Sequence, residues 1–159
     1  MAWDLGVPPR SHPSSGRMNM DNAVMIGVAV VEAFERYLVG KRSEDRTLPG
    51  KAEFPGGKCE ADESPMSCAI RECKEETGLD VEPVLLMAER RFEYEHATVD
   101  LRFWLCKPKG DVDPHADLNG FRWLTVEELL QEDFPEANEP ILEKIRYEGP
   151  FFKTGIAER

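Results

Sequence analysis

Gly57-Lys58-Cys59-Glu60-Ala61-Asp62-Glu63, followed after seven residues by Arg71-Glu72-Cys73-Lys74-Glu75-Glu76-Thr77-Gly78-Leu79, is the most informative run of this chain. Glu72, Glu75 and Glu76 stand at i, i+3 and i+4, so a helix places them within about a third of a turn on one face. Carboxylates that close repel each other, and a hard divalent cation relieves the repulsion. The helix has its own signals. Ser64 suits the N-cap, Pro65 the first helical position and Gly78 a left-handed C-terminal stop. Met66, Ala69, Ile70 and Cys73 fall at i, i+3, i+4 and i+7, an apolar stripe suited to docking on a sheet. On that reading the carboxylates project away from the stripe. Arg71, beside them, is expected to orient them by pairing with Glu63, and Gly56-Gly57 after Pro55 reads as a loop of close backbone approach.

The run has the form G-x5-E-x7-R-E-U-x-E-E-x-G-U, with U a bulky aliphatic residue, and in this it resembles the Nudix hydrolase family. One departure is Cys73 at the first U position, a small buried-type residue that leaves every charged position intact. The resemblance implies an α/β/α sandwich around a mixed sheet, a metal-dependent nucleotide hydrolase, and Mg²⁺ as cofactor with Mn²⁺ able to substitute. It implies Glu72, Glu75 and Glu76 as metal ligands, joined by the backbone carbonyl of Gly56. The catalytic set is then Glu72, Glu75, Glu76, Arg71 and Glu63, with Glu72 a candidate general base.

Length and composition agree with one domain. The 159 residues are 41% hydrophobic, enough for a core. The net charge of −11 disfavours nucleic acid polymers and anionic membranes as partners, leaving a small nucleotide neutralised by metal and local arginines. No apolar run is long enough to span a membrane. Cys59, Cys68, Cys73 and Cys106 lack a C-x-x-C spacing and read as reduced thiols, the pattern of a cytoplasmic protein. A monomer or a homodimer fits equally.

Along the chain, residues 1–20 are rich in Pro and Ser and read as a disordered N-terminal extension, with Met18 or Met20 as possible starts. The catalytic domain is expected over 21–148 and a C-terminal tail over 149–159. Strands are expected at 24–31 and 36–42, then a loop over 43–51. A hairpin over 84–95 and 98–105 turns at His96-Ala97. A polar loop spans 107–119, a short strand 121–124, and a helix starts near Thr125 with Glu128 completing a capping box. Asn138 opens a last helix over 139–146.

The resemblance extends to the branch of MutT-like enzymes that remove oxidised guanine nucleotides and so protect the nucleotide pool and DNA. Glu53-Phe54-Pro55-Gly56-Gly57 and Asp133-Phe134-Pro135-Glu136-Ala137-Asn138-Glu139-Pro140 are similar to segments of that branch. It implies that Asn138 reads the base, that Arg42 lies in the nucleotide site and that Phe54 sits nearby. Each has a plainer reading. Asn138 suits a helix N-cap, Arg42 a surface position at a strand end, and Phe54 the core. Arg122 departs from the pattern, standing before Trp123 where the branch carries a metal-assisting glutamate, and Asp117 is the loop carboxylate nearest to replacing it. Rival readings are a pyrimidine-nucleotide or broad house-cleaning hydrolase, and a nucleotide-sensing module without catalysis.

Overall fold

A computed structural model describes residues 22–44 and 48–152. The leader over 1–20 and the last part of the 149–159 segment lie outside the described residues. Among the described residues eight strands form one mixed sheet in the order β5-β6-β1-β2-β8-β7, with β3 paired to β2 and β4 to β1. The strands are β1 (Val24–Ala33), β2 (Arg36–Lys41), β3 (Ala52–Glu53), β4 (Gly56–Lys58), β5 (Val81–Tyr94), β6 (Ala97–Pro108), β7 (Asp117–Leu118) and β8 (Phe121–Thr125). Only β1 and β6 run parallel; the other pairings are antiparallel.

The unbroken apolar run of β1 follows from its place. Ile26, Val28 and Val30 face one core with Tyr37, Phe54, Leu101, Phe103, Leu105, Ile141 and Ile145. Ala29 and Val31 face the other with Leu38, Ala69, Cys73, Phe121 and Trp123. A strand covered on both faces shows no polar alternation. Helix α1 (Pro65–Thr77) covers the second face; α2 (Val126–Gln131), a short 3₁₀ turn (Glu136–Asn138) and α3 (Glu139–Glu148) cover the first. The result is the expected α/β/α sandwich. Each fully buried Ile, Leu, Val or Phe contributes about 1.5–3 kcal/mol.

Gly27 sets how closely α1 lies on the sheet. A β-carbon there would come within 2.5 Å of the Pro65 carbonyl oxygen and 2.9 Å of the Ala69 amide nitrogen. The helix signals hold: Ser64 accepts from the Ser67 N–H at 3.0 Å, and Gly78 adopts φ 81° while its N–H bonds the Lys74 carbonyl. The buried face differs from the expected stripe. Cys68, Ala69, Glu72, Cys73 and Thr77 are buried, whereas Met66 is 37% exposed. One carboxylate therefore lies inside, because Gly57 of β4 has no side chain and gives it room.

The 107–119 segment is not wholly a loop. It holds the end of β6 and all of β7, which forms a hairpin with β8 across Asn119-Gly120, at φ 57° and 93°. Past α3, the buried Glu32 takes the N–H groups of Phe151 at 2.9 Å and Phe152 at 2.8 Å, besides the Tyr37 hydroxyl at 2.5 Å. Residues 149–152 are thereby pinned to the end of β1, with both phenylalanines packed on the core.

Candidate active site

Arg71 ties the loop after β4 to α1. Its Nε donates to Glu63 Oε2 at 2.7 Å and its Nη2 to Glu63 Oε1 at 3.0 Å, a two-pronged pair. Nη2 also donates to the Lys58 carbonyl at 3.1 Å, while Nη1 reaches Glu72 Oε2 at 3.0 Å and Glu75 Oε1 at 3.2 Å. One guanidinium thus fixes both carboxylates against a loop 8 to 13 residues upstream. The Arg71 hydrogen bonds hold Glu63 below its usual carboxylate range.

Glu76 faces β4 itself. The β1–β4 ladder places Ala29 N–H on Pro55 and Cys59 N–H on Met25, and Val28 and Gly56 form a pair between those positions. By the alternation of an antiparallel ladder, the Gly56 peptide groups then point away from β1. The Gly56 N–H meets Glu76 Oε1 at 3.2 Å. Glu72 lies beside the next glycine: a β-carbon on Gly57 would strike its carboxylate. Glu72 is 6% exposed, while the Glu75 side chain is 57% exposed.

Burial raises the carboxyl pKa of Glu72, against the pull of Arg71. Burial likewise pushes Glu76 up to about 8, the Gly56 N–H opposing and the charges of Glu72 and Glu53 adding. Such groups take up a proton or a cation readily. Among the described residues no three His, Cys, Asp or Glu side chains already converge into a cage. The donor set nonetheless fits a hard divalent ion: closely placed carboxylates, of which Glu75 is exposed, and an adjoining glycine backbone. Glu75 has to leave Arg71 to join it, which its exposure permits.

The remaining candidates lie by the loop that leads into α3. Arg42 is not a surface residue; its side chain is 1% exposed and Nη1 lies 3.6 Å from Glu53 Oε1. Glu53, which sequence reasoning did not single out as a site residue, therefore pairs with Arg42, and its charge also acts on Glu76. Phe54 is fully buried, with its ring 4.9 Å from that of Phe134. The Phe134 loop is held to β3 by the Ala52 N–H on the Asp133 carbonyl at 2.8 Å and by Lys51 Nζ on Asp133 Oδ2 at 2.9 Å. Asn138 is 2% exposed and occupies the N-cap position of α3, yet its side chain makes no cap hydrogen bond. Its Nδ2 instead donates to the Pro135 carbonyl at 3.3 Å.

Arg122 lies on the sheet face opposite α1, in a cavity of about 330 Å³ with Lys41, Leu124 and Glu132. Its charge therefore does not enter the carboxylate cluster. Asp117 lines the same cavity and spends Oδ1 on the Gly120 N–H at 2.6 Å, closing the hairpin turn.

The NUDIX domain model matches residues 21–145. The chain belongs to the Nudix hydrolase family. It is 30% identical over 124 residues to the 8-oxo-dGTP diphosphatase of Escherichia coli K12, covering 77% of this chain and 95% of that one. The CTP pyrophosphohydrolase of the same organism is 28% identical over 121 residues, covering 76% and 89%. Among solved structures, a MutT protein from methicillin-resistant Staphylococcus aureus 252 matches with TM-score 0.65 at 28% identity, over 80% of this chain and 98% of that one. A MutT protein from Methanosarcina mazei Go1 matches with TM-score 0.65 at 27% identity, over 79% and 94%. This Nudix hydrolase is thus an enzyme acting on phosphorus anhydrides, and its expected sandwich is that of its MutT neighbours. No described helix is long and apolar enough to cross a membrane, and all four cysteines are free and buried.

Proposed function

We propose that this Nudix hydrolase converts 8-oxo-dGTP to 8-oxo-dGMP and pyrophosphate, with Mg²⁺ as its ion and Mn²⁺ as a substitute. The observation that carries the base assignment is Asn138. It stands at a helix N-terminus, is buried, and leaves the cap unmade. A buried amide that does not cap the helix suits the reading of a base edge, because it offers donor and acceptor together. Phe54 supports the loop before Asn138 by stacking on Phe134. The similarity to an 8-oxo-dGTP diphosphatase supports the same choice.

Glu72, Glu75, Glu76 and the Gly56 carbonyl would hold the ion. When bound, it neutralises charge developing on the phosphates and lowers the pKa of the attacking water. Arg71 keeps Glu72 and the Glu63 loop in place, so little reorganisation is needed during reaction. Water oxygen bonds to phosphorus, the bond to pyrophosphate breaks, and Glu72 takes the water proton. Arg42, held by Glu53, supplies positive charge at the nucleotide site.

The test is a panel of 8-oxo-dGTP, dGTP and CTP, assayed side by side with Mg²⁺. Oxidation turns N7 into a donor and C8 into a carbonyl. Discrimination is expected at about 1–3 kcal/mol per polar group left unpaired by the wrong base, or roughly 5- to 150-fold. Asn138→Ala should erode the ratio of kcat/KM values for 8-oxo-dGTP and dGTP more than it lowers the melting temperature, the only side-chain bond lost being the one to the Pro135 carbonyl. Equal rates on the two guanine nucleotides by the unaltered protein would sink the reading. Faster turnover of CTP would favour the pyrimidine alternative, which the CTP-hydrolysing relative supports.

A further inference from the structure

We propose that Asn119 is a positioning residue for the metal-binding carboxylates, acting through the backbone of Glu76; this rests on the metal reading of Glu72, Glu75 and Glu76. The last four carbonyls of a helix have no partner within it. In α1 the Lys74 carbonyl is taken by the Gly78 N–H. The Glu76 carbonyl is taken from outside, by Asn119 Nδ2 at 2.9 Å across 43 residues of chain. Glu76 is thus held at both ends, its carbonyl by Asn119 and its carboxylate by the Gly56 N–H. Helix ends fray at low cost, and a fraying last turn would carry Glu75 and Glu76 with it.

The donor stands on a firm base. Asn119 and Gly120 form the turn of the β7–β8 hairpin, Asp117 locks the turn at 2.6 Å, and Phe121 and Trp123 of β8 are buried in the core beneath α1. The turn does not itself need the amide. Two residues with positive φ are served by Asn-Gly, Asp-Gly or Gly-Gly alike. The side chain of Asn119 therefore has a use that the hairpin does not explain.

That separation supplies the experiment, which uses the full chain. Asn119→Gly keeps the turn and removes the donor; Asn119→Asp keeps the turn and sets a carboxylate against a carbonyl at the negative end of the helix. Mn²⁺ binding without nucleotide is read by the resonance signal of the free ion, alongside kcat, KM and melting. We expect Mn²⁺ affinity to fall by about 10-fold in Asn119→Gly and further in Asn119→Asp. The kcat should fall in the same order, with KM at saturating Mn²⁺ within about twofold and melting within about 4 °C of the unaltered protein. If the unaltered protein binds no Mn²⁺, the metal reading beneath this inference fails. If it binds and both variants bind equally well, Asn119 has no positioning role. If affinity falls only in step with a large loss of melting temperature, Asn119 merely holds the hairpin and the inference is overturned.

Discussion

The carboxylate of Glu72 lies against the backbone of Gly57, in the space a β-carbon would occupy. The two stand fifteen positions apart in the chain, and the absence of one side chain is what lets the other be buried. Gly57→Ala would displace the flexible end of Glu72 rather than any backbone. We expect turnover to fall by about 10²-fold or more as the carboxylate leaves its place, with a stability cost near the low end of the about 1–3 kcal/mol typical of overpacking. Gly27→Ala is the counterpart. There the obstacle is the backbone of Pro65 and Ala69, so α1 itself must move, and denaturant unfolding should show a loss at or above the upper end of that range.

Glu76→Gln keeps an oxygen for the Gly56 N–H and removes the charge. Hydrolysis should drop by about 10²–10³-fold in a protein that still melts cooperatively. Near-normal turnover at saturating Mg²⁺ would remove Glu76 from the metal set.

The same residue gives a pH signature. Its folded pKa of about 8 lies above the ordinary carboxylate value, chiefly through burial. A raised acid adds stability that is complete below the unfolded pKa and is lost as pH rises through the folded one. With chelator present, melting temperature should therefore fall between about pH 4.5 and about pH 8, Glu72 acting in the same direction. Glu76→Gln should flatten that slope, and Mg²⁺ should restore stability at the alkaline end by taking over the charge. An unchanged slope in Glu76→Gln would contradict the assignment.

Arg71→Lys tests the fork. Lysine carries a point charge and cannot bond Glu63 through two parallel donors while also reaching Glu72 and the Lys58 carbonyl. A loss of about 10-fold or more in kcat is expected even though the charge is kept. Wild-type kcat would show that charge alone suffices.

Glu32→Ala leaves the Tyr37 hydroxyl and the N–H groups of Phe151 and Phe152 without their acceptor. With about 1–3 kcal/mol at stake per buried group, a loss of several kcal/mol in unfolding free energy is expected. Limited proteolysis should cut near Gly149 in the variant and not in the parent, while kcat/KM of the folded protein stays the same.

Much of this molecule is written in short-range sequence. The ends of α1 follow from Ser64, Pro65 and Gly78, and the start of α2 from Thr125 and Glu128, whose reciprocal bonds are 3.2 and 2.9 Å. The Arg71–Glu63 pair was legible because the spacing of the motif set both residues in register. These features depend on groups within one or two helical turns, or on one loop of fixed length. Asn119-Gly120 carried an equally local hairpin signal, which the surrounding polar run obscured.

What only the tertiary structure decided was which face of each element is covered. The α1 stripe taken from spacing alone buries Met66 and exposes Glu72; the fold does the reverse, because Gly57 on a separate strand opens room for the carboxylate. Asn138 has the identity and position of an N-cap, and nothing local reveals that its amide turns away to Pro135. Arg122 alters the motif on paper, yet strand alternation sends it to the face opposite the carboxylates. The sequence alone determined which residues carry charge and where helices begin and end, because those depend on neighbours along the chain. The packing of β4 against α1, and of the Phe134 loop against β3, determined which of those charges are buried and brought together, because burial is set by residues distant in sequence.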